Sequence, residues 1–190
     1  STQSRSSAAS DVYKRQPTGK LVAWSARFAD AITAVSKSEQ TLISNNLPVN
    51  SPIRNKIIVI YNGVEDQKQK YKSPKNTVFT FCISGRLVID KGIGEAIAAF
   101  KEFNATYKNS QLVLIGDGPD RLQFEQQAKG LPVTFYGYKT NPLPYVASAD
   151  VYLHPTYHEG FSVSLIEASM LGLPTVSYTH LRAHETDSYL

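Results

Sequence analysis

From Val78 to Leu171 the chain alternates short apolar runs with amphipathic helical stretches, and this rhythm constrains the fold more than any other feature. Val78–Ser84 is almost continuously apolar, the pattern of a strand buried on both faces. Gly94–Tyr107 places Ala96, Phe100, Phe103 and Tyr107 on one helical stripe. Gln111–Ile115 reads as a strand, Asp120–Lys129 as a helix, Val133–Tyr136 as a strand and Pro144–Ser148 as a short helix. Val151–His154 follows as a strand and Ser162–Leu171 as a helix. Strands alternating with helices predict an α/β domain, a Rossmann-like, doubly wound parallel sheet covered on both faces. Ligands of such sheets bind outside the carboxyl ends of the strands. The loops that can carry chemistry are therefore 85–92, 116–119, 137–142 and 155–161.

Upstream, Ala31–Val35 is a strand that runs into Ser36-Lys37-Ser38-Glu39, a capping box that opens a helix toward Asn45-Asn46. Lys56–Ile60 is rich in β-branched residues and reads as a second strand, ending at the turn Asn62-Gly63. Glu65–Asn76 is polar and lysine-rich, as in a linker, and puts a domain boundary near Asn76. The expected organisation is the end of one domain over 17–76 and a second domain over 77–175.

Composition narrows the class. Hydrophobic residues make up 42% of the 190, enough for a packed core. The single cysteine, Cys82, excludes an internal disulfide and lies in an apolar run, where an inert buried thiol is expected. No apolar stretch is long enough to cross a bilayer and no secretory signal is visible, so a cytoplasmic location is expected. A net charge of +4 suits an enzyme of anionic substrates and does not mark a nucleic-acid binder.

The two ends read as inverted copies of one DNA element. Asp11–Gln16 can be encoded by GAT GTG TAT AAG AGA CAG, and the reverse complement in a shifted frame encodes Val176-Ser177-Tyr178-Thr179-His180 and begins the codon of Leu181. The element resembles a transposon end used in sequencing-library preparation, so residues 1–16 and 176–190 are read as adapter-derived. The helical spacing of His180 and His184 then carries no metal expectation.

Three loops carry candidate chemistry. In the loop 84–92, Arg86 and Lys91 could hold a diphosphate, the first by bidentate contacts and the second as a mobile charge; Arg86 could instead pair with Asp90 on the surface. Gly116-Asp117-Gly118-Pro119-Asp120-Arg121 begins like a dinucleotide fingerprint but has Arg121 where the third glycine belongs, so a tight turn accounts for it. The run from His154 to Ala168 is the richest. Ser162 can cap the helix that follows, or the loop can leave backbone N–H groups as an anion site. Glu159 precedes that helix and Glu167 lies inside it, either solvated or placed to bind vicinal hydroxyls. His154, His158 and Glu159 lack a further convincing ligand for zinc. Asn104-Ala105-Thr106 matches a glycosylation sequon but falls in a helix.

Taken together, Ala34-Val35-Ser36-Lys37-Ser38, Ile60–Glu65, Gly85-Arg86-Leu87 with Lys91-Gly92, Leu114–Pro119 and Glu159-Gly160-Phe161 with Leu165-Ile166-Glu167-Ala168 resemble the retaining glycosyltransferases of family 4. These enzymes have two facing Rossmann-like domains, the GT-B arrangement. The resemblance implies the last elements of the first domain followed by an incomplete donor-binding domain. It also implies roles. Arg86 and Lys91 would bind the donor diphosphate, and Glu159 would be catalytic or sugar-binding beside Gly160, Phe161 and Ser162. Glu167 would hold the ribose, and the base would lie near Gly137, Tyr138 and Lys139. Ser162 departs from the commoner small apolar residue or glycine. The implied donor is a UDP- or GDP-linked sugar, the acceptor a sugar or lipid-linked glycan, with no cofactor and no metal. The whole enzyme would work in the cytoplasm or at the cytoplasmic face of a membrane, in polysaccharide or glycan synthesis, and this chain alone would be inactive. A non-catalytic nucleotide-binding module and a GT-B-like sugar-nucleotide epimerase or phosphorylase are the alternatives.

Overall fold

The structure, a computed structural model, describes residues 26–66, 70–71, 77–157, 159 and 161–177. It divides into two compact units, Ser1–Tyr61 and Asn62–Leu190. The division falls at the Asn62-Gly63 turn, upstream of the boundary anticipated near Asn76.

The first unit contains β1 (Ile32–Ala34), α1 (Lys37–Asn45), a 3-10 turn (Pro52–Lys56) and β2 (Ile57–Val59). The strands pair in parallel, with Ile32 opposite Ile57. Ser36 caps α1 by accepting from the Glu39 N–H at 3.0 Å. Glu39 returns its carboxylate to the Val35 N–H at 2.8 Å, one residue further back than the usual reciprocal bond. Few side chains are buried here, chiefly Ala34, Ser36, Ile53 and Ile57.

The second unit is a five-stranded sheet in the order β5-β4-β3-β6-β7, every pair parallel. Its strands are β3 (Phe79–Ser84), β4 (Ser110–Ile115), β5 (Val133–Gly137), β6 (Val151–His154) and β7 (Thr175–Ser177). The helices α2 (Ile93–Thr106), α3 (Arg121–Gln127), α4 (Leu143–Ala147) and α5 (Val163–Met170) cover it. The two-residue period of the strands sorts the core. Ile83, Leu112 and Leu114 pack with Ile93, Ile97, Phe100 and Phe124 on one face. Cys82, Val113 and Tyr152 pack with Val146, Ala168 and Leu173 on the other. Cys82 is fully buried, as its apolar setting predicts.

Three local differences from the sequence reading have clear causes. On α2 the buried stripe is Ile93, Ala96, Ile97, Phe100 and Asn104, whereas Tyr107 lies past the helix end and stacks on Phe103 with ring centroids 4.7 Å apart. Asn104 takes the buried position because its amide donates to Ser110 Oγ at 3.0 Å and Ser110 O at 3.3 Å, closing the turn into β4. β5 runs one residue past Tyr136: a register shift after Leu114 brings Ile115 opposite Gly137. β7 continues past Thr175 into Val176 and Ser177, opposite Leu153 and His154. All three β7 side chains are exposed, so the pairing there rests on backbone groups. Residues 1–16 and 178–190 lie outside the described residues.

Candidate functional site

β3 leads through α2 to β4 and then β5 on one side of the sheet, whereas β6 joins the opposite edge of β3. The winding therefore reverses between β3 and β6, and the crevice beyond their carboxyl ends is where such sheets take ligands.

The loop after β3 forms one wall. The Gly85 N–H donates to Ile115 O at 2.9 Å and the Leu87 N–H to Asp117 O at 3.0 Å, which fastens this loop to the one after β4. The fit needs glycine at 116, where a Cβ would collide with the Gly85 carbonyl. Leu87 is buried and anchors the loop from below. Asp120 accepts from the Ile89 N–H at 2.9 Å. A 3-10 turn (Ile89–Lys91) then ends at Gly92, whose φ of 66° is left-handed, and α2 begins. Arg86 is exposed and its guanidinium makes no hydrogen bond or ion pair among the described residues, so the alternative surface pair with Asp90 does not form.

The loop after β6 forms the other wall and is tied to the first. The Tyr157 N–H donates to Asp90 O at 3.2 Å and Thr156 Oγ1 to the same carbonyl at 3.5 Å. A Cβ on Gly92 would strike the Pro155 carbonyl. This contact brings Lys91 and Glu159 together, with Nζ 2.5 Å from Oε2 and both side chains mostly buried. Beneath them His154 ends β6. Its Nε2 is 3.7 Å from the same Glu159 oxygen and has no hydrogen-bond partner among the described residues. Burial lowers its pKa; Glu159 acts in the opposite direction and Lys91 in the same one, so the imidazole is neutral near pH 7.

Ser162 caps α5, its Oγ accepting from the Leu165 N–H at 3.3 Å. Glu167 on that helix is half-buried, and its carboxylate has no hydrogen bond or ion pair among the described residues. Burial raises its pKa. Phe161 is half-buried beside Ser162, whereas Gly160 and His158 lie outside the described residues. At the end of β5, Gly137 is left-handed at φ 69°, and the Tyr138 side chain is 75% exposed with no hydrogen bond among the described residues. The ammonium of Lys139 lies 5.3 Å from the centre of the Tyr145 ring. The glycine turn after β4 is structural, since Arg121 is held by Asp117 at 3.1 Å and Glu125 at 2.7 Å.

The structure thus joins Lys91 to Glu159 and adds His154, whose burial beneath the pair the sequence reading did not foresee. Arg86 lies in the loop after β3, Glu167 within α5 and Tyr138 after β5, and among the described residues none of their side chains bonds to the pair. A cation and a carboxylate in contact beyond the carboxyl ends of β3 and β6 can meet an anion and hydroxyl groups.

The sequence pattern of the family Glycosyl transferases group 1 matches residues 64–186. The chain is 32% identical over 112 residues to a GDP-mannose-dependent alpha-(1-6)-phosphatidylinositol dimannoside mannosyltransferase of Mycobacterium tuberculosis, covering 57% of this chain and 29% of that protein. It is 30% identical over 171 residues to the capsular polysaccharide biosynthesis glycosyltransferase CapM of Staphylococcus aureus, covering 78% and 43%. Among solved structures it superposes on WaaG, a glycosyltransferase involved in lipopolysaccharide biosynthesis, with a TM-score of 0.70 and 19% identity over 93% of this chain and 54% of that one. On Anabaena HepE, solved with UDP and glucose, the TM-score is 0.65 at 22% identity, over 80% and 45%. These neighbours share the GT-B fold. The chain spans less than half the length of the curated relatives it matches.

Proposed function

Because this chain belongs to the glycosyl transferases group 1 family, we propose that the protein it comes from transfers a sugar from a nucleoside-diphosphate donor to an acceptor, with retention, in glycan biosynthesis. The observation that carries this reading is the Lys91–Glu159 pair at the crevice between β3 and β6, with Arg86 in the same loop as Lys91 and its guanidinium without a bond among the described residues. In this reading Arg86 and Lys91 meet the donor diphosphate, and Glu159 faces the transferred sugar beside Gly160, Phe161 and Ser162. The half-buried carboxylate of Glu167 takes the ribose hydroxyls, and the base lies against Gly137, Tyr138 and Lys139. The transition state has oxocarbenium character, so stabilising the departing diphosphate and orienting the acceptor are the main tasks. Arg86, Lys91 and backbone N–H groups supply the positive charge, and neither a divalent metal nor a cofactor enters the scheme.

Two relatives support the donor class: one is named as GDP-mannose-dependent and another was solved with UDP and glucose. The name of the mannosyltransferase, with its phosphatidylinositol dimannoside, also supports a lipid-linked glycan acceptor, and in this reading the enzyme works at the cytoplasmic face of a membrane. Among the described residues no helix is long and apolar enough to cross one. Titration of the chain with UDP, GDP and ADP by calorimetry tests the reading. One nucleotide should bind preferentially, and Arg86→Ala and Glu167→Ala should each weaken it roughly tenfold or more, the size of a lost charge-assisted hydrogen bond. Loss of neither would refute the site. The chain alone should bind the nucleotide yet transfer no sugar. The full-length enzyme should transfer sugar undiminished in EDTA and keep the donor's anomeric configuration, read by NMR of the product. Binding without transfer by the full-length protein would instead mark a nucleotide-binding module.

A further inference from the structure

His154 is 6% exposed and ends β6, and its Nε2 is buried without a hydrogen-bond partner among the described residues. A polar nitrogen in that position carries a desolvation penalty that no hydrogen bond among the described residues offsets. Glu159 Oε2 lies 3.7 Å away, beyond hydrogen-bond length but within reach of a small side-chain rotation. The same oxygen is 2.5 Å from Lys91 Nζ. One carboxylate oxygen therefore faces two nitrogens, one engaged and one waiting.

The two partners differ in freedom. Lys91 has a flexible four-carbon stem and a compact charge that an incoming anion can draw away. His154 is fixed in the last position of a central strand, its ring 6.3 Å from that of Tyr152, whose hydroxyl donates to Ser84 O at 3.1 Å. The wall that carries Lys91 is bolted to the loop that carries Glu159 at Gly92 and Pro155, so the lysine can swing without the loops separating.

We propose that Glu159 exchanges Lys91 for His154 when an anion draws the ammonium away, with His154 acting as a positioning residue whose Nε2–H takes up the released carboxylate. The proton must sit on Nε2, because a lone pair there would face the carboxylate oxygen and repel it. Lys91, from the turn after β3, and Glu159, from the loop after β6, are the charged groups that face the imidazole. The exchange keeps Glu159 aligned toward a bound sugar at the moment its original counter-ion serves the ligand. The identity of the anion as a donor diphosphate rests on the function proposed above; the exchange itself needs only the departure of the lysine.

Nitrogen–proton correlation spectra of the His154 imidazole in the full chain test the two separately. In Lys91→Met the Nε2 proton should move downfield, its exchange with water should slow roughly tenfold as the bond forms, and the ring should titrate at higher pH than in the parent. UDP or GDP added to the parent should produce the same proton shift. In binding assays with UDP-glucose and GDP-mannose, His154→Leu should weaken nucleotide-sugar binding and His154→Gln, which keeps a donor near the Nε2 position, should restore it. An unchanged His154 signal in a Lys91→Met chain that otherwise retains the parent spectrum overturns the exchange, whatever the nucleotides do. A shift in Lys91→Met without any nucleotide response upholds the exchange and counts against the donor site instead.

Discussion

Glu167 differs from Glu159 because its half-buried carboxylate has no hydrogen bond or ion pair among the described residues and burial raises its pKa. The folded state then holds a proton to higher pH than the unfolded state, so this residue favours folding at low pH and that contribution is lost as pH rises through the folded value. Glu167→Gln should flatten the thermal stability profile of the chain just above the ordinary glutamate range, leave it as stable or slightly more stable at pH 7, and weaken nucleotide binding. Thermal scans across pH with parallel calorimetry check both halves; a large loss of stability at pH 7 would show that the carboxylate has a structural partner. At this scale the sequence was informative about residue type and less so about surroundings. Arg86, Lys91, Glu159 and Glu167 stand out by position relative to strand ends and helix starts. The state of His154 depends on the pairing of β6 with β3, which brings residues far apart in sequence together, and no local spacing encodes it.

At the scale of elements, the two walls of the crevice depend on Gly92. Its left-handed φ and the carbonyl of Pro155 leave no room for a Cβ. Gly92→Ala should cost about 1–3 kcal/mol in backbone strain alone, push the β6 loop off the 3-10 turn, and abolish nucleotide binding. Urea unfolding and calorimetry measure the two effects. Ser162→Ala removes the cap of α5 and should cost about 1 kcal/mol, read by the same unfolding experiment. The strands and helices were legible because their apolar periods are strong, and the elements fall within a few residues of the expected bounds. The exceptions were set by tertiary contacts. Asn104 displaced Tyr107 from the α2 stripe through its bonds to Ser110, and the register shift against β4 carried β5 into Gly137.

At the scale of the whole molecule, the two units differ in what holds them. Both hydrophobic clusters lie within the second unit, whereas the first buries few side chains and leaves Leu42, Ile58 and Ile60 exposed. A chain starting at Asn62 should therefore fold and bind nucleotide as the longer one does, and residues 1–61 alone should show little fixed structure by circular dichroism. Strand order was not readable from the sequence, since alternation predicts parallel crossovers but not on which side of β3 each lands. That order has a kinetic consequence. β3 pairs early in sequence with β4, but Phe81 meets Val151 only after β4, β5 and α4 have intervened, and Lys91 meets Glu159 only after that. Closing so long a loop should therefore come late in folding. Partly folded chains can bury most of one face of the sheet and still have no crevice, so a ligand of this crevice would bind only chains that have completed their last pairing and would draw the folding equilibrium toward them.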